Sequence, residues 1–190
     1  MRDDLWFPCV VWDSVINDLD NTQLKNYVYD KVEQDKINPP LGKPKTPWHS
    51  VSLVVEENVE VKKLVDRLNK KLYTICDDVG LNTMQLYDIW ANVNPPGVSN
   101  ITHDHMGTVF SGVYYLDAEE GQGDIVFERN DGGELCLPVL VKEPSPFNQK
   151  AVTYKSVTDS CYVFPSWLKH RVTENTSNKD RLSISFNYGA

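Results

Sequence analysis

Histidine is scarce in this sequence: four in 190 residues. Cysteine is equally scarce, and Cys9, Cys76, Cys136 and Cys161 form no CxxC pair. They read as reduced thiols, which places the chain in the cytoplasm. No run approaches the roughly 20 apolar residues of a membrane span. The opening MRDDLWFPCVVWDS is too acidic, and its apolar run too short, for a signal peptide. No basic cluster interrupts a net charge of −8, so no nucleic-acid footprint is expected. No internal repeat or low-complexity stretch occurs. Two glycosylation sequons, at Asn100 and Asn175, are chance matches in a chain without a secretion signal.

What remains is a chain with 41% hydrophobic residues, enough for one domain over 1–190 with its own core. Residues 5–12 (LWFPCVVW) predict an opening strand, with Pro8 at an edge or bulge. Leu24, Tyr27, Val28 and Val32 recur at helical spacing over 21–36, with Asn21 or Thr22 as cap. INPPLGKPKTPWHS follows as a Pro/Gly-rich loop. The strongest helix carries Val61, Leu64, Val65, Leu68, Leu72, Ile75, Cys76 and Val79 on one stripe, with Asn58 capping its start and Gly80 its end.

From residue 84 short apolar or β-branched runs alternate with turns: MQLYDIWANV, VFSGVYYL, DIVFE, ELCLPVLV, KAVTYK, CYVFP and RLSISFNY. Helices first and strands afterwards predict an α+β, mainly β chain. The expected core is a double-stranded β-helix (a jelly roll, cupin-like) with the N-terminal helices packed on one sheet.

Three of the four histidines form a pattern. His103 and His105 flank Asp104, and His170 follows after the strand CYVF. On an extended strand His103 and His105 share a face, and neutral imidazole is a common ligand for redox metals. A pair of this kind alone arises easily by chance on a surface; the third histidine and Arg181 give it weight. The usual iron triad of this type is two histidines and a carboxylate. Here the carboxylate lies between the histidines, so alternation turns Asp104 away unless a bulge turns it inward; the three-histidine set is preferred. Arg181, with Ser183 and Ser185, occupies one face of the last strand, opposite Leu182, Ile184 and Phe186. A guanidinium facing inward suits a carboxylate. Ser111, Val113 and Tyr115 share one face of SGVYYL, and Trp90, Asn92 and Asn94 share one of their own strand. Tyr115 and Asn92 are therefore candidates for the same pocket, while Trp48 and Trp167 read as packing or pocket-wall residues.

The runs WANVNPPGVSNITHDHMGTVFSGVYYL and FPSWLKHRVTENTSNKDRLSISFNY resemble the 2-oxoglutarate/Fe(II) oxygenases of marine bacteria and cyanophages, relatives of the prolyl-hydroxylase-type dioxygenases. The upstream PWHS is similar to that family's Trp-x-Ser element, and the likeness spans roughly residues 45–190. It implies Fe(II) on His103, His105 and His170. It also implies 2-oxoglutarate held by Arg181 with Ser183 and Tyr115, and Asn92 is added from its place on the strand. The partners are then 2-oxoglutarate, O2 and an unidentified peptidyl or small-molecule substrate that is hydroxylated with release of succinate and CO2. His105 departs from the aspartate usual at that position. The rival reading is a cupin-like metal-binding protein, or a three-histidine metalloenzyme that does not use 2-oxoglutarate. The loop at 38–50 and EPSPFN are candidate lids by position, and the aromatic content permits a homodimer.

Overall fold

Asn58 opens the longest helix by accepting hydrogen bonds from the Glu60 and Val61 backbone N–H groups at 2.9 and 3.1 Å. In the computed structural model, which describes residues 8–37, 47–131 and 142–190, this helix (α2) runs Val59–Asp78. Gly80, at φ +71, ends it: the Leu81 N–H reaches the Cys76 carbonyl at 2.8 Å and the Gly80 N–H that of Asp77 at 3.2 Å, the paired bonds of a Schellman motif. Val61, Leu64, Val65, Leu68, Leu72, Ile75 and Cys76 are buried as the periodicity predicts, whereas Val79, at the C-cap, lies exposed. Helix α1 spans Asn21–Ile37. Its cap is Asp20 rather than Asn21 or Thr22. The Asp20 carboxylate accepts from the Gln23 N–H at 3.0 Å, while Asn21 is drawn inward to Asp159 and the Tyr114 hydroxyl.

The strands of the described residues, in chain order, are β1 Trp12–Val15, β2 Trp48–His49, β3 Gln85–Asn94, β4 Asn100–His103, β5 Phe110–Asp117, β6 Ile125–Glu128, β7 Ala151–Tyr154, β8 Ser160–Pro165, β9 His170–Val172 and β10 Arg181–Gly189. They form two antiparallel sheets, β1-β8-β5-β10-β3-β2 and β4-β9-β6-β7. This is a jelly roll carrying α1 and α2, as the alternation of short runs predicts. The opening strand is shifted: residues 8–11 are not in the sheet, and pairing with β8 begins at Trp12 opposite Val163. The proline-rich loop is not wholly irregular either. Near its end, Trp48 and His49 pair with Val93 and Asn92 as an edge strand, since no proline removes a donor there. The expected strand ELCLPVLV lies wholly outside the described residues, as does most of the 38–50 loop. The EPSPFN segment forms an exposed turn with Asn148 Nδ2 bonded to the Glu143 carbonyl at 2.9 Å.

The large sheet has two unlike faces. Leu182, Ile184, Phe186 and Tyr188 of β10, with Tyr114 and Leu116 of β5, pack into the core shared with Leu24, Val28 and the α2 stripe. Burying each such leucine contributes roughly 1.5–3 kcal/mol. Gly112 sits where the Phe186 ring crosses β5: a Cβ there would lie 2.3 Å from the ring and 2.6 Å from the Tyr162 carbonyl. The opposite face meets the small sheet through Val113, Tyr115, Ile125, Phe127, Tyr162 and Phe164. Between the sheets, at one end, lies a cavity. No helix among the described residues is long and apolar enough to cross a membrane.

Candidate metal centre and co-substrate pocket

Antiparallel pairing of β4 with β9 sets His103 directly opposite His170. A register shift between Asn100 and His103 brings this about, so the bulge lies before the histidine pair rather than at Asp104. His105 is not on the strand, which ends at His103. It reaches the same place from the following loop, its N–H bonded to the Ser166 carbonyl at 2.9 Å. The available ligand atoms of His103, His105 and His170 lie within 4.8 Å of one another, and Asp104 is not part of this cluster. The rings are close, with centroids 4.3 Å apart for His103 and His170 and 5.2 Å for each of the other pairs.

Two of the rings are oriented from behind. His103 Nδ1 bonds the Ile101 carbonyl at 2.8 Å and His170 Nδ1 bonds the Leu168 carbonyl at 2.9 Å. A carbonyl only accepts, so Nδ1 carries a proton in each, which leaves Nε2 as the ring nitrogen available to a metal. Burial, and next the neighbouring His103, lower the His105 pKa to about 4 although Asp104 opposes the shift. Burial lowers His170 to about 3, offset only in part by the Leu168 bond. Both imidazoles are therefore neutral at pH 7, the state in which they can ligate a metal.

Behind the histidines runs a polar row fixed by register. Tyr115 of β5 pairs with Ser183 of β10, Ser183 with Asn92 of β3, and Asn92 with His49 of β2. All four line the cavity, as do Arg181 and Asn94, which pair with one another. Arg181 is 3% exposed. Its Nη1 donates to the Gly123 carbonyl at 3.0 Å and its guanidinium lies 5.7 Å from the Tyr115 ring centre. Its Nε has no hydrogen-bond partner, and among the described residues it forms no ion pair. Burial lowers its pKa. A buried guanidinium without a carboxylate is costly, and an anionic ligand beside it removes that cost. The Tyr115 phenol stays protonated because burial pushes it up to about 12.

Asn92 sits differently from the expectation of a ligand-binding amide. Its Oδ1 accepts from Trp90 Nε1 at 3.1 Å and lies 2.6 Å from His49 Nδ1, while its Nδ2 donates to Ser185 Oγ at 2.9 Å. Trp90 also lines the cavity. Trp48 bonds Asp35 at 3.1 Å, and Trp167, half exposed, does not line the cavity. Sequence reasoning missed His49, the fourth histidine. The signal for it was its place two residues past Pro47, where a strand can begin again.

The donor set suits a metal ion with open positions and an acidic co-substrate beside it. A sequence profile of the family described as "Putative 2OG-Fe(II) oxygenase" matches residues 88–187, just over half of the chain. No curated protein matches in sequence. Among solved structures, the fold is similar to a prolyl-4-hydroxylase from Pseudomonas putida: 14% identity, 95% of this chain and 92% of that one, TM-score 0.63. It is also similar to HygX from Streptomyces hygroscopicus with nickel and 2-oxoglutarate bound: 12% identity, 95% and 82% coverage, TM-score 0.61. A third is SnoN, a non-haem alpha-ketoglutarate-dependent epimerase from nogalamycin biosynthesis: 14% identity, 94% and 78% coverage, TM-score 0.63. At such identities the likeness to solved structures is one of fold, the double-stranded β-helix.

Proposed function

Because the chain belongs to the 2-oxoglutarate/Fe(II) oxygenase family, we propose that its site consists of His103, His105 and His170 as iron ligands and Arg181 as the anchor of the 2-oxoglutarate carboxylate. The enzyme is an oxidoreductase that uses Fe(II) and 2-oxoglutarate. Bound together, these two supply the oxidation by O2, with 2-oxoglutarate leaving as succinate and CO2. The protein's part is to hold, orient and shield. The Ile101 and Leu168 carbonyls hold two imidazoles through Nδ1, which leaves Nε2 as the nitrogen offered to the metal. Burial keeps His105 and His170 neutral.

The observation that carries the co-substrate role is the orphaned Nε of the buried Arg181, in the same cavity as the histidines. A carboxylate beside it gains a charge-assisted hydrogen bond. Ser183 and the protonated Tyr115 hydroxyl stand next to it in the row and donate to the same carboxylate. Asn92 lines this wall and orients Trp90 and His49 through its amide. The substrate we propose is a small molecule or peptidyl side chain that is hydroxylated at carbon; a chain of net charge −8 is a poor host for nucleic acid. A buried arginine without an ion-pair partner among the described residues also speaks against the rival three-histidine metalloprotein, which has no use for it.

The test is succinate formation from 2-oxoglutarate in air by the iron-loaded protein. Turnover should require iron and O2 and vanish in His170→Ala. Succinate formation at wild-type rate in His170→Ala would overturn the ligand assignment.

A further inference from the structure

His105 is the candidate ligand that no strand holds, and something else must fix it. The residue that does so is Ser166, just past the end of β8 and 1% exposed. Its carbonyl accepts the His105 N–H at 2.9 Å, and its own N–H donates to the Val109 carbonyl at 3.0 Å. Its Oγ lies 2.9 Å from Thr108 Oγ and 3.0 Å from Ser111 Oγ. The loop 105–109 is thus tied to one serine at three points.

The hydroxyls run in one direction. Asn187 Oδ1, 2.7 Å from Ser111 Oγ, can only accept, so Ser111 gives it its proton. Ser166 then donates to Ser111, and Thr108 donates to Ser166, with the His105 carbonyl 3.2 Å from Thr108 Oγ as its alternative acceptor. Ser111, on β5, and Asn187, on β10, are paired neighbours in the large sheet, and both are buried. The chain of hydroxyls therefore ties the His105 loop to two adjacent strands of the large sheet. The same turn serves a second ligand. Leu168, whose N–H closes the turn on the Pro165 carbonyl at 2.9 Å, offers its own carbonyl to His170 Nδ1.

We infer that Ser166 is a positioning residue for the metal centre, its hydroxyl chain through Ser111 to Asn187 setting where His105 presents its ring. This rests on the reading of His105 as a ligand. None of Thr108, Ser111, Ser166 and Asn187 lines the cavity, so the effect of this chain of hydroxyls must pass through His105. Outer partners that orient ligands typically change metal affinity about 10- to 100-fold when removed.

The experiment uses the full chain stripped of metal and titrated anaerobically with Co(II), whose visible spectrum reports ligand geometry. Melting temperatures are recorded in parallel. Ser166→Ala should weaken Co(II) binding about 10- to 100-fold and shift the spectrum of the saturated protein. Thr108→Val, a half-buried and nearly isosteric change that decides the matter should Ser166→Ala not fold, should weaken it about 3- to 10-fold through one lost hydrogen bond. Wild-type affinity and spectrum in both variants, with only the melting temperature lowered, would overturn the proposal. His105→Ala separates the two levels. If it leaves Co(II) affinity unchanged, the ligand reading fails and the inference with it. If it abolishes binding while Ser166→Ala and Thr108→Val do not weaken it, the positioning role alone fails.

Discussion

Replacing Arg181 by methionine should move stability and ligand affinity in opposite directions. Arg181 is 3% exposed, and its guanidinium has one hydrogen bond to Gly123, the Tyr115 ring alongside and an orphaned Nε. Desolvating such a charge costs several kcal/mol. The charged hydrogen bond returns about 1.5–3 kcal/mol and the ring contact about 0.5–2 kcal/mol, so the two sides nearly cancel. Methionine fills much of the same volume without a charge. The ligand-free Arg181→Met protein is therefore expected to be between equally stable and about 2 kcal/mol more stable than wild type, by analogy with buried ion pairs replaced by apolar groups. In a chain of this size that is a melting temperature higher by up to roughly 4–8 °C. With 2-oxoglutarate the sign reverses. Losing the partner of a buried carboxylate costs about 2–5 kcal/mol, a rise in Kd of roughly 30- to 5,000-fold. Saturating 2-oxoglutarate, at about 100 times its Kd, should stabilise wild type by about 2.7 kcal/mol and the variant hardly at all. Calorimetric titration of 2-oxoglutarate into the anaerobic Mn(II)-loaded proteins, with melting scans on the stripped ones, measures both. An unchanged 2-oxoglutarate Kd would refute the anchor role. A loss of more than about 2 kcal/mol in the ligand-free variant would refute the account of an uncompensated charge.

Tyr115→Phe removes one hydroxyl from the same pocket and should raise the 2-oxoglutarate Kd about 3- to 10-fold without lowering metal affinity, as read by the same titration. Gly112→Ala places a methyl against the Phe186 ring and the Tyr162 carbonyl, and overpacking of this kind should cost about 1–3 kcal/mol in a urea melt. The metal-free protein should also lose stability in mild acid. His170 has a folded-state pKa of about 3 against an ordinary value of 6.5, so the unfolded chain takes up the proton first. The stabilisation present above pH 6.5 is lost as pH falls from there toward 3, by about 1.4 kcal/mol at pH 5.5. Urea midpoints at pH 7.5 and 5.5 should show this loss in the stripped wild type and a smaller one in His170→Leu; equal losses would argue against a neutral buried His170.

The parts legible in the sequence were those carried by period. The α2 stripe and the division of β10 into an inner Arg181–Ser183–Ser185 set and an outer Leu182–Ile184–Phe186 set follow from spacings of 3.6 and 2, and the structure places these residues accordingly. The convergence of His103, His105 and His170 was legible from residue type and order, though the route of His105 was not: a loop position has no period to read. Register was hidden too. That Tyr115, Ser183, Asn92 and His49 form one row depends on how four separate strands align, which no single strand encodes. Asp20 was overlooked as a cap because Asn21 beside it is an equally good cap former and Thr22 a nearly as common one. Ser166 was overlooked because a lone serine carries no pattern; only its three attachments reveal it.

The two faces of β10 divide the enzyme's future as well as its present. Odd-numbered positions from Arg181 to Ser185 face the cavity, and even-numbered ones from Leu182 to Tyr188 face the helices. Changes at odd positions are free to retune which acid or substrate is held while leaving the helix-side core as it is. Changes at even positions adjust how firmly the fold stands while leaving the cavity lining alone. A single-residue insertion or deletion respects neither set: it exchanges them, turning the guanidinium into the helix-side core and a leucine into the pocket. Drift along this strand is thus confined to substitution, and a library meant to redirect the enzyme is best written in odd numbers.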